Sequence, residues 1–350
     1  MDKKATIYQI AEQAGVSITT VSRVLNNSPL VTEQTKELVR AVINKNHYSP
    51  NAMARGLSLS KSKTIGVILP DITNPYFSAL FIEIERYALE HDYSVLLYNT
   101  LYGSFSHSFS KTFDECDYFQ MCVEKRLDGV IITGGQLDKD DISKEYKQSV
   151  NELCKSLPVV IIGQEIKGID CLFIQRGLAK GIEILTEHLR SLGHQKIGFI
   201  GGEPGVRVTS ERFNAYKDAL KQAGLPYNPS YVHFSDYYVN DGYKAMQNQL
   251  KAERPTALIA INDMVAFGAL RAMTDAGVAV PEDMALVSCD EFFFGAYTVP
   301  RFTSLNQQND YLGQLAIVNL IKKINGQNDD KTVIVHEPKL VVRESCGKGL

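Results

Sequence analysis

A short segment near the amino terminus carries side chains that can read the edges of DNA bases. Ser17, Thr19 and Thr20 offer hydroxyl groups, Ile18 offers an apolar contact for a thymine methyl group, and Arg23 can bridge the two acceptors of guanine. On one helix these residues would face the same groove. They would equally suit the solvated face of an ordinary helical bundle, so their spacing alone leaves both interpretations open.

Three short helices are predicted around this segment. Thr6 begins a capping box that opens a helix over residues 7–14, and Ser17 is a good N-cap for a second helix, predicted over Ile18–Leu25. Thr32 caps a third helix with its own apolar stripe. The short turn between the first two helices suggests a helix-turn-helix.

Charge divides the chain into two parts. The 350 residues carry a formal net charge of −3, yet residues 1–63 hold nine basic and four acidic side chains, against 28 basic and 36 acidic in the remainder. A basic head on an acidic body favours a polyanion as the partner of the head alone.

From Thr64 onward, short apolar runs alternate with longer amphipathic segments. Strands are predicted over 64–69, 94–98, 128–132, 158–162, 196–200, 257–261 and 285–289. Helices are predicted near 76–90, 112–126, 178–192, 209–223, 241–253 and 264–276. Nearly continuous apolar strands between helices indicate parallel sheets covered on both faces. We therefore expect two doubly wound lobes, with a ligand in the crevice between them.

Several classes of protein are disfavoured by what the sequence lacks. There is no signal-peptide segment, and no run approaches the ~18 apolar residues of a membrane span. The six cysteines form no C-x-x-C pair, which is typical of reduced thiols. Nucleotide-binding glycine motifs and hydrolase motifs are absent. We expect a cytoplasmic protein that is not an enzyme, with no catalytic residue, cofactor, metal or membrane partner.

Long ordered motifs resemble the lactose-repressor family of bacterial transcription regulators. The first is TIYQIAEQAGVSITTVSRVLNNSPLVTEQTKELVRAVINKNHYSPNAMARGL at 6–57. The others are IGVILPDITNPYF (65–77), LTEHLRSLGHQKIGFIGG (185–202), INDMVAFGALRAM (261–273), VPEDMALVSCDE (280–291) and LVVRES (340–345). The resemblance covers essentially the whole chain.

The resemblance implies an all-α helix-turn-helix head and an α/β, two-lobed, periplasmic-binding-protein-like body with doubly wound parallel sheets. We expect the DNA-binding head over 1–48, a hinge helix and linker over 49–63, and a ligand-binding and dimerisation body over 64–350. Lobe 1 is expected at about 64–162 plus 295–325, and lobe 2 at about 163–294 plus 326–345.

The resemblance also implies the DNA-contacting residues. Ile18, Thr19 and Arg23 match base-reading positions. Positions near phosphates are Tyr8, Ser17, Thr20, Ser22, Asn26, Thr32 and Tyr48. Asn51, Ala54 and Leu57 match a hinge helix that enters the minor groove, with Leu57 as a wedge between base steps. Gly56 suggests a hinge helix that depends on DNA for its order.

In the body, the resemblance implies a ligand site between the lobes. Its expected members are Asn74, Tyr76, Phe77, Arg212, Tyr237, Asn262 and Asp290. The rings would stack on a sugar or a base, and a guanidinium opposite a carboxylate can hold a vicinal diol. By residue type alone, Arg212 would be a surface charge and Asp290 a turn residue.

Two departures from the family pattern bear on the ligand. The segment from about 100 to 122 is longer than usual and rich in Ser and Phe, and we expect it to remodel one rim of the cleft. Around Gly177 and Leu178, the acidic or amide residues that often follow the preceding strand are missing.

The sequence thus predicts a homodimeric repressor of carbohydrate-use genes that binds a pseudo-palindromic double-stranded operator and responds to a sugar. A purine-type corepressor within the same family stays open because of Tyr76 and Phe77. A sugar-binding protein without DNA activity is the alternative from another class. The short CGKGL end after Ser345 favours a dimer over a tetramer.

Overall fold

The computed structural model describes residues 5–25, 28–46, 48, 62–101, 114–327 and 334–347. The chain forms two compact units, Met1–Ser62 and Lys63–Leu350, here called the head and the body.

The described head consists of three helices, α1 (Ile7–Gln13), α2 (Ile18–Leu25) and α3 (Glu33–Lys45). Their small core contains Ile10, Ala11, Ala14, Val21, Val24 and Val39. The predicted capping box opens α1, since the Thr6 side chain and the Gln9 side chain each accept a backbone N–H of the other residue. Thr32 caps α3. The three predicted helices are therefore confirmed.

The body alternates strands and helices. Its strands are β1 (Thr64–Leu69), β2 (Ser94–Asn99), β3 (Gly129–Thr133), β4 (Val159–Ile162), β5 (Leu172–Arg176), β6 (Ile197–Ile200), β7 (Val232–His233), β8 (Ala257–Ala260), β9 (Ala285–Ser288), β10 (Thr303–Asn306), β11 (Ile334–His336) and β12 (Lys339–Val341). Its helices are α4 (Pro75–Glu90), α5 (Glu115–Glu124), α6 (Lys144–Ser156), α7 (Leu178–Ser191), α8 (Arg207–Gln222), α9 (Val239–Lys251), α10 (Asp263–Asp275) and α11 (Asn309–Ile324).

Two six-stranded sheets organise these elements into two lobes. The first sheet has the order β11-β5-β4-β3-β1-β2 and the second β12-β10-β9-β8-β6-β7. Every pairing is parallel except that of β10 with β12. Buried side chains cover both faces of the first sheet, as expected for parallel strands between helices. The predicted α/β class is confirmed.

The expected lobe boundaries were wrong in three places. β5 and β11 belong to the first sheet, because Leu172 pairs with Val160 and Ile334 with Ile174. β10 belongs to the second sheet, next to β9. The chain therefore changes lobe after β5, between β10 and α11, and between β11 and β12. A hydrogen bond links two of these crossings: Gly177, just after β5, donates its N–H to the carbonyl oxygen of His336, at the end of β11, at 2.6 Å.

The sequence patterns did not predict the helices α6 and α11 or the five short strands β5, β7, β10, β11 and β12. β7, β11 and β12 have only two or three residues, and β5 ends in the polar pair Gln175 and Arg176. Among the described residues, no helix is both long enough and apolar enough to cross a membrane.

Candidate functional site

The second helix of the head presents the predicted base-reading residues on its outer face. Val21 and Val24 are buried against the other helices. Ile18, Thr19 and Arg23 are exposed. Helical geometry thus separates a packing face from a polar face of the same eight residues, and the polar face is free to meet a groove.

The residues predicted to lie near phosphates differ in their exposure. Ser17 caps α2, since its Oγ accepts from Thr20 N at 3.1 Å. Tyr8, Ser17 and Thr32 are exposed, whereas Thr20, Ser22 and Tyr48 are half-buried. Asn26 and the three predicted hinge residues Asn51, Ala54 and Leu57 lie outside the described part of the chain.

In the body, one cavity of about 150 Å³ lies between the two sheets. All seven ligand-site residues predicted from the sequence line it: Asn74, Tyr76, Phe77, Arg212, Tyr237, Asn262 and Asp290. The residues that sequence reasoning missed are Pro70, Asp71, Gly135, Asp138, Arg176, Glu203, Val206, Val208, Asp236 and Tyr238. Most of the missed residues lie in loops at the carboxyl ends of strands, which is the one general signal that could have located them.

A buried ion pair forms one wall of the cavity. Arg212 Nη2 lies 2.9 Å from Asp290 Oδ1, and both side chains are less than a tenth exposed. The guanidinium also donates to the carbonyl oxygens of Ile261 (2.5 Å) and Cys289 (3.3 Å). Burial alone would lower the pKa of Arg212, but the neighbouring Asp290 carboxylate raises it. Arg212 therefore stays protonated, and it is a buried charge rather than a surface charge.

The opposite wall is aromatic. Tyr76 and Phe77 follow the helix N-cap Asn74, whose Oδ1 accepts from Tyr76 N at 3.0 Å. The two rings meet edge to face with centroids 5.1 Å apart, and the Arg176 guanidinium lies 4.2 Å from the Tyr76 ring centroid. The Tyr76 hydroxyl is buried and has no hydrogen-bond partner within the described structure. Burial raises the pKa of Tyr76, so this hydroxyl keeps its proton and can donate a hydrogen bond to a ligand.

Asn262 and Tyr237 are partly engaged by the protein itself. Asn262 Oδ1 caps α10 by accepting from Val265 N at 2.8 Å, while its amide donates to Tyr237 O at 3.0 Å. The Tyr237 hydroxyl is 2.6 Å from Thr209 Oγ1. Asn262 retains one N–H that no described hydrogen bond uses.

Carboxylates outnumber cations around the cavity. Five acids line it, namely Asp71, Asp138, Glu203, Asp236 and Asp290, against two arginines, Arg176 and Arg212. Asp71 is buried and accepts from Tyr238 Oη of the other lobe at 2.6 Å. Burial raises the pKa of Asp138 despite the nearby arginines. The excess of acidic over basic side chains in the lining therefore disfavours an anion.

The two departures from the family pattern have different outcomes. Gly177 and Leu178 do not line the cavity, but the preceding residue Arg176 does, so the polar contact at this crossing comes from a cation. Residues 102–113 of the long segment lie outside the described part of the chain. Its end, residues 115–122, forms most of α5, and the expected remodelling of the cleft rim stays a prediction.

Two family models match this chain. The model described as bacterial regulatory proteins, lacI family, matches residues 6–51. The model of a periplasmic binding protein-like domain matches residues 186–346. The first match contains the exposed face of α2, and the second contains Arg212, Asn262 and Asp290.

Full-length relatives extend the likeness. The HTH-type transcriptional repressor PurR of Pasteurella multocida strain Pm70 is 32% identical over 97% of this chain and 98% of its own length. The structure of the lac repressor dimer bound to operator and the anti-inducer ONPF aligns with a TM-score of 0.85 at 25% identity, covering 98% of this chain and 99% of the other. The complex of transcriptional regulator CelR with cellobiose gives 0.70 at 25% identity, covering 97% and 99%.

Proposed function

The chain belongs to the lacI family of bacterial regulatory proteins and is a DNA-binding transcriptional repressor, and we propose that it is a cytoplasmic homodimer controlling carbohydrate-use genes. Two heads related by a two-fold axis would bind a pseudo-palindromic operator. The observation that carries the DNA contact is the exposed face of α2, where Ile18, Thr19 and Arg23 stand clear of the head core.

The operator proposal is tested by selecting binding sites from random duplex DNA with the full-length protein. We expect enriched sites with two half-sites related by two-fold symmetry. Binding of the enriched site should weaken steeply with salt because lysine and arginine contacts release counterions from the phosphates. Enrichment of a single asymmetric half-site would contradict the dimer. Equal binding by a chain lacking residues 1–60 would contradict the role of the head.

For the effector, we propose an uncharged monocyclic carbohydrate. A cavity of about 150 Å³ suits one six-membered ring. Arg212 and Asp290 together offer donors and acceptors in a fixed plane, which matches a vicinal diol. The lone Tyr76 hydroxyl can donate to a further ligand oxygen. The buried Arg212–Asp290 pair at the cavity wall is the observation that carries this proposal.

The charge of the cavity narrows the ligand class further. Sugar hydroxyls can donate to the lining carboxylates, whereas a sugar phosphate would bring two negative charges toward five acids and only two arginines. We therefore propose that phosphorylated sugars bind much more weakly than their neutral counterparts.

A purine is the second candidate ligand. Tyr76 and Phe77 form one apolar wall, and Val206 and Val208 add apolar surface to the lining, so a flat aromatic ring is a reasonable occupant. A relative at 32% identity bears the name PurR. A purine acting as corepressor would strengthen operator binding, the opposite sign from a sugar inducer.

A thermal-shift screen of the full-length protein with neutral sugars, sugar phosphates and purine bases separates these candidates. We expect stabilisation by a neutral sugar, because a ligand that binds only the folded state raises the midpoint temperature of unfolding. The response should disappear in Asp290→Asn, which removes the charge while keeping a similar shape. A shift seen only with purines would show that the ligand is a purine base and not a carbohydrate. A shift seen only with sugar phosphates would contradict the proposal that the acidic lining excludes anions.

The regulatory step is proposed to be a linkage between the two sites. A ligand that prefers one arrangement of the lobes shifts the equilibrium between forms that differ in operator affinity. The test is operator affinity with and without the ligand found in the screen. Thermodynamic reciprocity requires DNA to change the ligand affinity by the same factor, and an operator affinity that the ligand leaves unchanged would contradict the linkage.

A further inference from the structure

Two thiols meet in the first lobe, away from the cavity. Cys154 lies in the last turn of α6, and Cys171 immediately precedes β5. Neither cysteine lines the cavity between the lobes. We propose that Cys154 and Cys171 form a reversible intramolecular disulfide when the protein meets a hydroperoxide.

The backbone brings the two side chains to the same place, the beginning of β4. Cys171 Sγ donates to Val159 O at 3.2 Å. Cys154 belongs to the helix that leads directly into β4, and its side chain packs on the same apolar cluster that contains Cys171. The two thiols are near enough for each to perturb the pKa of the other, and a disulfide would require their sulfur atoms to approach to about 2.0 Å.

A second contact holds this geometry. Asn151, one turn before Cys154, donates from its amide to Gly168 O at 2.7 Å and accepts from Asp170 N at 2.9 Å. These two bonds fix the segment that leads into Cys171 against α6. The pairing is therefore built into the fold rather than dependent on a chance side-chain rotation.

The two cysteines differ in access and reactivity. Cys154 is half-buried and lines a surface depression with Lys155 and Asp170, whereas Cys171 is buried. The pKa of Cys154 is lowered by its interaction with the Cys171 thiol and by the charge of Lys323, while the interaction with Cys154 and burial raise the pKa of Cys171. Since the thiolate is the nucleophile, Cys154 is the residue that peroxide meets first.

The reaction balances without any further reagent. The Cys154 thiolate attacks one peroxide oxygen, the O–O bond breaks, and the departing hydroxide takes a proton to become water. The Cys171 thiol then attacks the resulting sulfenic sulfur, loses its proton and displaces a second water. Two electrons pass from the thiols to the peroxide. The new S–S bond ties α6 to the strand that ends at Arg176, a residue of the cavity wall.

Peptide mapping tests the pairing directly. Trypsin cleavage after Lys147, Lys155, Lys167 and Arg176 places each cysteine on its own peptide, 148–155 and 168–176. Reduced full-length protein is treated with hydrogen peroxide, alkylated and digested without reductant. We expect the two peptides joined, with a mass two hydrogen atoms below their sum, and separated again by dithiothreitol. Conversion of Cys154 to sulfinic acid without any joined peptide would overturn the proposal.

Variants separate the roles of the two thiols. Cys154→Ser should abolish the joined peptide, and Cys171→Ser should leave a sulfenic acid at Cys154 that dimedone traps. Cys116→Ser, at another half-buried cysteine, is the matched control and should form the joined peptide as the parent does. Equal yields of a joined product in Cys154→Ser, through another cysteine, would also overturn the assignment. If a variant fails to fold, the peptide mapping of the parent protein still tests the proposed disulfide.

Discussion

The head and the body hold their functional side chains in opposite ways. In the head, Ile18, Thr19 and Arg23 lie on the exposed face of a helix whose other face makes the core. In the body, Arg212 and Asp290 line the cavity but are themselves buried and bonded to each other and to backbone carbonyls. One site is added to the outside of a small fold, and the other is part of a larger fold's interior.

This difference decides which functions can be removed without unfolding the protein. Among the described residues, every buried polar or charged side chain belongs to the body. A buried charge that loses its partner is costly, whereas an exposed one is not. DNA recognition should therefore be separable from stability, and ligand recognition should not.

Arg212→Ala should give the largest effect, a loss of about 3–5 kcal/mol in the free energy of unfolding of the body, because Asp290 is left buried without its partner. Urea unfolding of the full-length protein measures it. The matched control is Arg190→Ala, which breaks the exposed pair with Glu187 and should cost far less, because solvent already screens that pair. Equal costs for the two variants would show that the body site is no more tied to stability than a surface pair.

Arg23→Ala should weaken binding to the selected operator by about 1–3 kcal/mol while changing unfolding by no more than about 0.5 kcal/mol. Electrophoretic mobility shift and thermal unfolding on the same preparation measure the two quantities. Lys221→Ala, which removes an equal charge from an exposed helix end of the body, should leave operator binding unchanged. If Arg23→Ala also unfolds the head, the proposed separation of function from stability fails.

The same contrast explains what the sequence could predict. The head was predicted well because caps and helical periodicity are local signals, as at Thr6 and Thr32. In the body, β5 and β11 were missed because each is short and is defined by its neighbour in the sheet. A strand of three residues such as β11 has no periodicity of its own, and its partner lies far away along the chain.

The cavity residues divide in the same manner. The seven that were predicted match ligand-site positions of the family, while Arg176 and Tyr238, which lie outside the family motifs, became visible only when the lobes were brought together. Tyr238 donates to Asp71 across 167 positions of sequence. A contact at that separation depends on both sheets and on every crossing between them, so residue spacing could not reveal it.

Glu115→Gln should reduce the pH dependence of body stability, to which buried Asp263, with its pKa raised to about 8, also contributes. Glu115 is buried and accepts from Gln136 N beside the cavity wall, and burial raises its pKa to about 7 from the ordinary 4.5. The folded state therefore holds a proton that the unfolded state releases, and stability falls as pH rises from about 4.5 to about 7, by roughly 1 kcal/mol per pH unit.

Urea unfolding at about pH 5 and about pH 7 measures this slope for the parent and for Glu115→Gln. The control is Glu124→Gln, at the exposed end of the same helix, which should keep the parent's slope. No described acid of the head is buried, so the head transition should show no comparable dependence. An unchanged slope in Glu115→Gln would place the proton elsewhere.

Ser17 is the head residue at which stability and DNA recognition are hardest to separate, because it has both a structural and a functional assignment. Its Oγ caps α2, and Ser17→Ala should cost about 1 kcal/mol of head stability. Thr6→Ala removes the equivalent cap from α1 and should cost a similar amount. Of these two residues only Ser17 is proposed to lie near a phosphate, so Ser17→Ala, but not Thr6→Ala, should weaken operator binding beyond what its stability loss explains. Parallel losses of operator affinity in both variants would mean that the head recognises DNA through the integrity of its fold, as the body recognises its ligand.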